Sequence, residues 1–434
     1  MSSTRGRIAL AVAVTSGLSM GVAIGTVGTT IMARKRLSEI CGTSTIANFT
    51  DDQLSLFGAI PTVGGALVSM AVALAAAYDD KQAPTPRAGI LAVWSFIGFL
   101  AGLGLIGMPD EAFLILLLCK TTCGMAVGAI ASLAPNIVDH LAPASHKVRY
   151  GLSFQVCVTI GILLSTTLYF AVDLHHHEST CSSYKLLISI IAIHCPVTFA
   201  LLFIASLLAY RHEGEGPVSL LTVNEEDAPA APPRSNIRLL LSAIALPVAI
   251  QLTGINAIVF YTSIIADSIG IPSATANVAL MAWNCVTAVA GIFIGSRMEL
   301  RNTLLAGLAG LVVSNVILAC SIAPRFDSKI GVCLGTIFFV MSFEMGVAVA
   351  YYPLTTRLFA NAKSISRLTG AALIITLESA LSVLTAFLFP LAAGSFSDKN
   401  TGESVAFGAF AIMGALAWAV LYGTLCDHAA GTKV

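Results

Sequence analysis

The residues with chemistry to offer stand out by where they sit. The stretch Gln251-Leu-Thr-Gly-Ile-Asn-Ala-Ile-Val-Phe-Tyr261 places Gln, Thr, Asn and Tyr inside an apolar run long enough to cross a bilayer. A polar side chain in hydrocarbon is costly. Several in one segment imply a water-filled cavity, a bound polar solute, or hydrogen bonds that glue one helix to another. Glu344 and Glu378 add carboxylates to two later apolar runs, and Lys120 adds an amine to an earlier one. An amide both donates and accepts, so it suits the hydroxyls of a neutral polyol without demanding charge.

The elements that must position these groups are membrane helices. Of 434 residues, 56% are hydrophobic and only 11% charged, with the apolar excess spread along the whole length; an average soluble domain is roughly 25% charged. A net charge of zero leaves no basic patch for nucleic acid. Ten cysteines lack CxxC spacing, and His175-His-His177 beside Glu178 reads as a solvated loop cluster. No GxGxxG follows a strand, no P-loop ends in GK[ST], and neither a hydrolytic triad nor a zinc signature is present, so no enzyme, metal or cofactor is expected. Cys41 and Cys181 fall in predicted outer loops, open to a disulfide or to two free thiols.

Apolar runs of about 20 residues centre near Gly21, Gly65, Gly98, Gly124, Gly161 and Ala200, then near Thr253, Val286, Leu311, Phe343, Ala380 and Leu416. The first, Ile8 to Met32, is too long for the core of a signal peptide and reads as a spanning helix. The expected fold is all-α, twelve transmembrane helices in two six-helix bundles. An N-terminal bundle at 1–210 and a C-terminal one at 239–434 flank a cytosolic linker at 211–238 that is rich in acids and prolines. With both termini inside, fifteen Lys and Arg fall in inner segments and seven in outer ones, Arg34-Lys-Arg36 being the local exception. Asn48-Phe-Thr50 is then a glycosylation sequon on the outer side.

The seventh run resembles, almost residue for residue, the QQLSGIN motif in the seventh helix of sugar porters, the sugar-carrying branch of the major facilitator superfamily. Lys120, Gly124 and Gly128, followed by Pro135, His140 and Leu141-Ala-Pro143, are similar to the family's GRxxxGxxxG…P…EIAP run, although Gly at this spacing also serves plain helix packing. Gly161-Ile-Leu163 matches the family's GIL, and counting back from it puts Gln155 on a sugar-contacting glutamine. Gln251 and Asn256 fall on two further ligands. Asn284 is fixed as another by its spacing to Arg297, Arg301 and Gly307-Leu-Ala-Gly310. Phe343-Glu-Met-Gly346 resembles FEVG, and Tyr352 occupies the family's tryptophan position. The binding set implied by the resemblance is Gln155, Gln251, Asn256, Asn284, Glu344 and Tyr352, the ring stacking on a pyranose face. Tyr351 and Tyr352 also fit an interfacial aromatic pair. On an ideal helix Gln251 and Asn256 would stand about 140° apart, so their joint use requires a bend, for which Gly254 lowers the cost.

The chain departs from the family at several places. Ile250 replaces the first glutamine of the QQ pair, and the eleventh run has Thr376, Glu378 and Ser379 where the family has asparagines. The inner-loop charges are eroded: Asp79 to Arg87 replaces a GxxxDxxGRR pattern, and His140 and Arg357 replace glutamates, which predicts an inner gate built differently. The GPGP hinge becomes Gly346-Val-Ala-Val349, which predicts a stiffer tenth helix. In the GYDTG segment of the first helix, proton-coupled members carry Asp and many passive members Asn; here Ala23 cannot take a proton, and its usual basic partner is Lys120. The expected function is facilitative uniport of a hexose such as glucose by alternating access, by a monomer in the plasma membrane. Proton symport of a sugar or other small neutral solute through Glu344 or Glu378 is the alternative, as is a transporter-like solute sensor.

Overall fold

A computed structural model describes residues 4–41, 51–79, 87–106, 113–143, 147–174, 180–213, 236–259, 270, 272–295, 297–359, 362, 365–396 and 398–425. Asn48, the His175–His177 cluster with Glu178, Tyr261 and most of the proposed linker lie outside the described residues.

Among the described residues, twelve helices are long and apolar enough to cross a membrane. In chain order they are α1 (Thr4–Cys41), α2 (Asp51–Asp79), α3 (Arg87–Ile106), α4 (Phe113–Leu141) and α5 (Lys147–Leu174). Next come α6, made of Cys181–Ala192 and His194–Glu213, and α7, the span Asn236–Val259. The rest are α8 (Ser273–Gly295), α9 (Leu300–Ile322), α10 (the span Lys329–Leu358), α11 (Arg367–Gly394) and α12 (Lys399–Thr424). The first six pack as one bundle, with α1 on α5, α2 on α4, and α3 against α4 and α6; the last six pack as a second, with α9 against α10 and α12, α7 against α11 and α12, and α8 on α10. The bundles meet along two seams, α2 with α11 and α5 with α8.

Lipid offers helices no hydrophobic drive to associate, so close backbone approach and hydrogen bonds do the work. Gly124 and Gly128 are an instance: a Cβ on either would collide with the backbone of Pro61 or Gly65 on α2, so the α4 glycines seat that helix. Many hydroxyls inside the spans return to carbonyls one turn back, as Thr15 does to Ala11 at 2.7 Å and Thr253 to Ala249 at 3.0 Å, which gives those donors a partner within their own helix. Leu67, Leu74, Leu114 and Ile190 point outward, the surface a bilayer would cover.

Three spans are interrupted. In α6 the helix restarts at His194, whose Nδ1 donates to the Ile191 carbonyl while Nε2 pairs with Ser165 Oγ at 2.9 Å, a hydrogen-bonded interior histidine. In α7 the helix breaks after Gln251, with Gly254 at φ +93°. In α10, α-helix Lys329–Ser342 gives way to a π-helix over Phe343–Ala348 before α-helix resumes at Val349–Leu358. The stiffening predicted from the lost GPGP hinge is therefore not what the helix does: it accommodates an extra residue at that place instead. Cys41 and Cys181 form a disulfide with Cα atoms 5.1 Å apart, which ties the end of α1 to the start of α6.

Candidate functional site

Between the bundles lies a cavity of about 180 Å³, lined from α1, α2, α4 and α5 on one side and α7, α8, α10 and α11 on the other. Such a space holds on the order of ten water molecules. Gln155, Gln251, Asn256, Asn284, Glu344 and Tyr352 all border it, and so do Lys120 and Glu378. These eight residues, carried by six helices, are thus brought to one chamber.

The break in α7 explains how two residues on different helical faces share this wall. After Gln251 the chain turns through Gly254, and the second segment brings Asn256 Nδ2 to within 2.9 Å of Gln251 Oε1. Gly254 is required twice over. Its positive φ suits a residue without Cβ, and a Cβ there would strike the Phe410 ring on α12. Asn315 on α9 holds the broken turn by donating Nδ2 to the Thr253 carbonyl at 3.0 Å, which supplies a partner where the helix ladder is lost.

From Gln251 a network runs outward. Its Nε2 donates to Glu378 Oε1 at 3.1 Å, and the other Glu378 oxygen accepts from the Tyr351 hydroxyl at 2.8 Å. Asn256 also donates to Ser382 Oγ at 2.8 Å. Glu378 thus joins α7, α10 and α11, and every donor it receives is neutral. Across the cavity Gln155 Nε2 donates to Glu344 Oε2 at 3.2 Å, a link between α5 and the π segment of α10.

Asn284 differs from the other amides. It is 3% exposed, and its Oδ1 has no hydrogen-bond partner in the protein, although it borders the cavity. A buried carbonyl oxygen left this way is an acceptor suited to a solute hydroxyl. The neighbouring Trp283 Nε1 donates to the Ile337 carbonyl at 2.9 Å, fixing α8 against α10 beside it.

The two tyrosines are not an interfacial pair. Tyr351 is fully buried and spends its hydroxyl on Glu378, while Tyr352 faces the cavity with its ring edge-on to Phe154 at 5.5 Å and to Tyr351 at 5.2 Å. Tyr351 and Ser382 as network partners went unread in the sequence. An unexplained carboxylate at 378 was the signal, because a buried acid needs donors from its neighbours. Tyr352 and Phe154 also border a second, smaller cavity with Asp139, Pro353 and Arg357, so this aromatic contact stands between the central chamber and the C-terminal ends of α4 and α10 beside the start of α5.

A family model described as Sugar (and other) transporter matches residues 8–210 and 231–427. A Trypanosoma vivax protein named glucose transporter HT1 is 24% identical over 331 residues, covering 73% of this chain and 60% of the relative. The human solute carrier family 2, facilitated glucose transporter member 4, is 24% identical over 346 residues, covering 70% of this chain and 64% of its own length. The chain spans about three fifths of the length of the curated relatives it matches. Among solved structures, the proton:xylose symporter XylE of the major facilitator superfamily, bound to 6-bromo-6-deoxy-D-glucose, superposes with a TM-score of 0.74 at 16% identity, over 98% of this chain and 96% of that one. A partially occluded, inward-open form of XylE from E. coli gives 0.69 over 100% and 99%.

Proposed function

The chain belongs to the Sugar (and other) transporter family, within the major facilitator superfamily, and we propose that it carries a hexose such as glucose across a membrane by facilitative uniport with alternating access. The observation that carries this reading is the convergence of four neutral amides, Gln155, Gln251, Asn256 and Asn284, on one cavity beside the Tyr352 ring. Amides hold hydroxyls and an aromatic face covers the apolar side of a pyranose. Each net hydrogen bond contributes about 0.5–1.5 kcal/mol, and millimolar affinity needs only about 4 kcal/mol. A few such contacts bind a sugar and still release it.

Support for passive transport comes from Ala23. It borders the cavity next to Lys120, at the place where a proton-coupled porter would need an acid. Movement then follows the sugar gradient, with the seams α2–α11 and α5–α8 as the surfaces that rock. Residues 1–210 and 239–434 are the two moving bodies on this reading, and 211–238 is the cytosolic connection.

Proton symport is the second reading, favoured by Glu344 and Glu378, two buried carboxylates whose donors are neutral. The test is counterflow of D-glucose against L-glucose in proteoliposomes, followed by the same exchange under an imposed pH gradient. Stereoselective exchange that ignores the gradient supports uniport. Accumulation driven by the gradient replaces it with symport, and no exchange of either sugar removes the hexose reading.

An even number of spans puts both ends on one side, and the Cys41–Cys181 disulfide at the opposite ends of α1 and α6 suits an oxidising exterior. We therefore place the termini in the cytosol, the protein in the plasma membrane as a monomer, and Asn48 on the outer, glycosylated face.

A further inference from the structure

Lys120 is 2% exposed, inside α4 and against α1. Its ammonium makes one hydrogen bond, from Nζ to Thr26 Oγ1 at 2.7 Å, and Thr26 is free to accept because its own proton goes to the Ala23 carbonyl at 2.9 Å. Among the described residues, the ionisable groups that bear on the amine are the thiols of Cys119, Cys123 and Cys195 and the imidazole of His194, with no carboxylate among them. The cavity carboxylates, Glu344 and Glu378, belong to the other bundle and are held there by Gln155, Gln251 and Tyr351. When protonated, Lys120 is thus a buried cation with two N–H groups to spare. It borders the solute cavity, and Ala23, on the same face of α1 as Thr26, leaves open the place a counter-charge would fill.

A buried ammonium with one neutral partner either gives up its proton or is joined by an anion. The cavity reaches this amine, so a solute can arrive, and Thr26, which is not itself part of the lining, fixes the amine through its one hydrogen bond. We propose that Lys120, held in place by Thr26, and the gap at Ala23 form an anion subsite in the wall of the cavity, taking a monoanion of carboxylate or halide size. The shared chemistry has two sources: a carboxylate carried on a sugar acid, or a free halide that binds alongside a neutral sugar. A bound halide pairs the cation whether or not a neutral sugar is present, whereas the sugar acid brings its own counter-charge.

The subsite is located in the cavity on which the proposed hexose transport rests, but binding of the anion is measurable without transport. The experiment uses the full chain purified in detergent, titrated with chloride against isethionate at constant ionic strength, and separately with D-glucuronate against D-glucose, following the thermal midpoint. Saturable stabilisation by chloride assigns the free halide; stabilisation by D-glucuronate beyond D-glucose assigns the sugar acid. Lys120→Met is expected to weaken the apparent anion affinity at least about tenfold, and Lys120→Arg to keep it. Ala23→Asp supplies an internal carboxylate and is expected to remove the anion effect while the protein stays folded, so the assignment does not hang on Lys120→Met alone. No saturable effect of either anion on the wild-type chain, or equal effects in wild type and Ala23→Asp, overturns the proposal. D-glucose counterflow run in parallel separates the two failures: exchange without any anion effect sinks the subsite alone.

Discussion

Gln251 Nε2 donates to Glu378 Oε1 at 3.1 Å, and this one bond joins the broken helix α7 to α11 where the family pattern would place asparagines instead of an acid. The carboxylate accepts from two neutral donors at once, so it acts as the acceptor around which Gln251 and Tyr351 are arranged. For Glu378→Ala the expected outcome is a loss of sugar affinity, since two buried donors lose their acceptor at about 1–3 kcal/mol each. An amide at 378 keeps one acceptor, so Glu378→Gln should retain exchange within a few-fold. Counterflow rates against substrate concentration check both variants. If Glu378→Gln instead spares exchange but abolishes pH-driven accumulation present in the wild type, Glu378 is a coupling acid and the uniport reading falls.

Gly254→Ala tests the break in α7. The positive φ costs a non-glycine residue about 1–3 kcal/mol, and the new methyl meets Phe410. The expected result is a lowered thermal midpoint in detergent together with weakened sugar binding, because Asn256 loses its position beside Gln251. An unchanged midpoint would show that the turn relaxes at no cost.

Tyr352 gives a graded series. Removing the ring in Tyr352→Ala takes away both the cavity face and the edge contact with Phe154, and KM is expected to rise by about tenfold, in line with the 0.5–1.5 kcal/mol of an aromatic contact beyond its buried area. Tyr352→Phe keeps the ring and should change KM by no more than a few-fold. Zero-trans uptake in proteoliposomes distinguishes a stacking ring from one used only for its hydroxyl, in which case Tyr352→Phe would cost as much as Tyr352→Ala.

The disulfide closes a long loop, with its cysteines 140 residues apart. Cys41→Ser is expected to lower stability by about 2–4 kcal/mol, read as a drop in thermal midpoint that reductant reproduces in the wild type but not in the variant. Equal midpoints with and without reductant in the wild type would show that the bridge contributes no stability.

The helices were readable because bilayer thickness sets one length for every span and the polar breaks between apolar runs are sharp. That Gln251, Asn256 and Asn284 border one cavity was readable from the motif resemblance and not from polarity alone, since Asn315, an amide in a similar run, holds the α7 turn instead. The direction of the α7 bend was not, since it depends on Phe410 filling one side of Gly254 and on Asn315 reaching Thr253 from another helix. The Cys41–Cys181 pairing was open for the same reason: a bridge requires a Cα separation near 5.1 Å, which only the packing of α1 against α6 provides. The tenth helix misled most. Its lost proline and glycine hinge pointed to a regular helix, while the irregularity there goes with packing, where Gly346 meets Gly307 of α9 so closely that a Cβ on either would collide with the other.

That π segment sets the phase of α10. Glu344 and Tyr352 are eight residues apart, which on an unbroken α-helix leaves them roughly 80° out of line. The wider turn of Phe343–Ala348 absorbs one surplus residue and removes most of that offset, and both side chains border the same cavity. Deleting a single residue from this segment would leave the two aligned on a plain α-helix. Straightening it at full length would turn the C-terminal third of α10, and Tyr352 with it, away from the chamber. The helix therefore holds about a quarter-turn of rotation in reserve, stored where its carboxylate meets the opposite bundle.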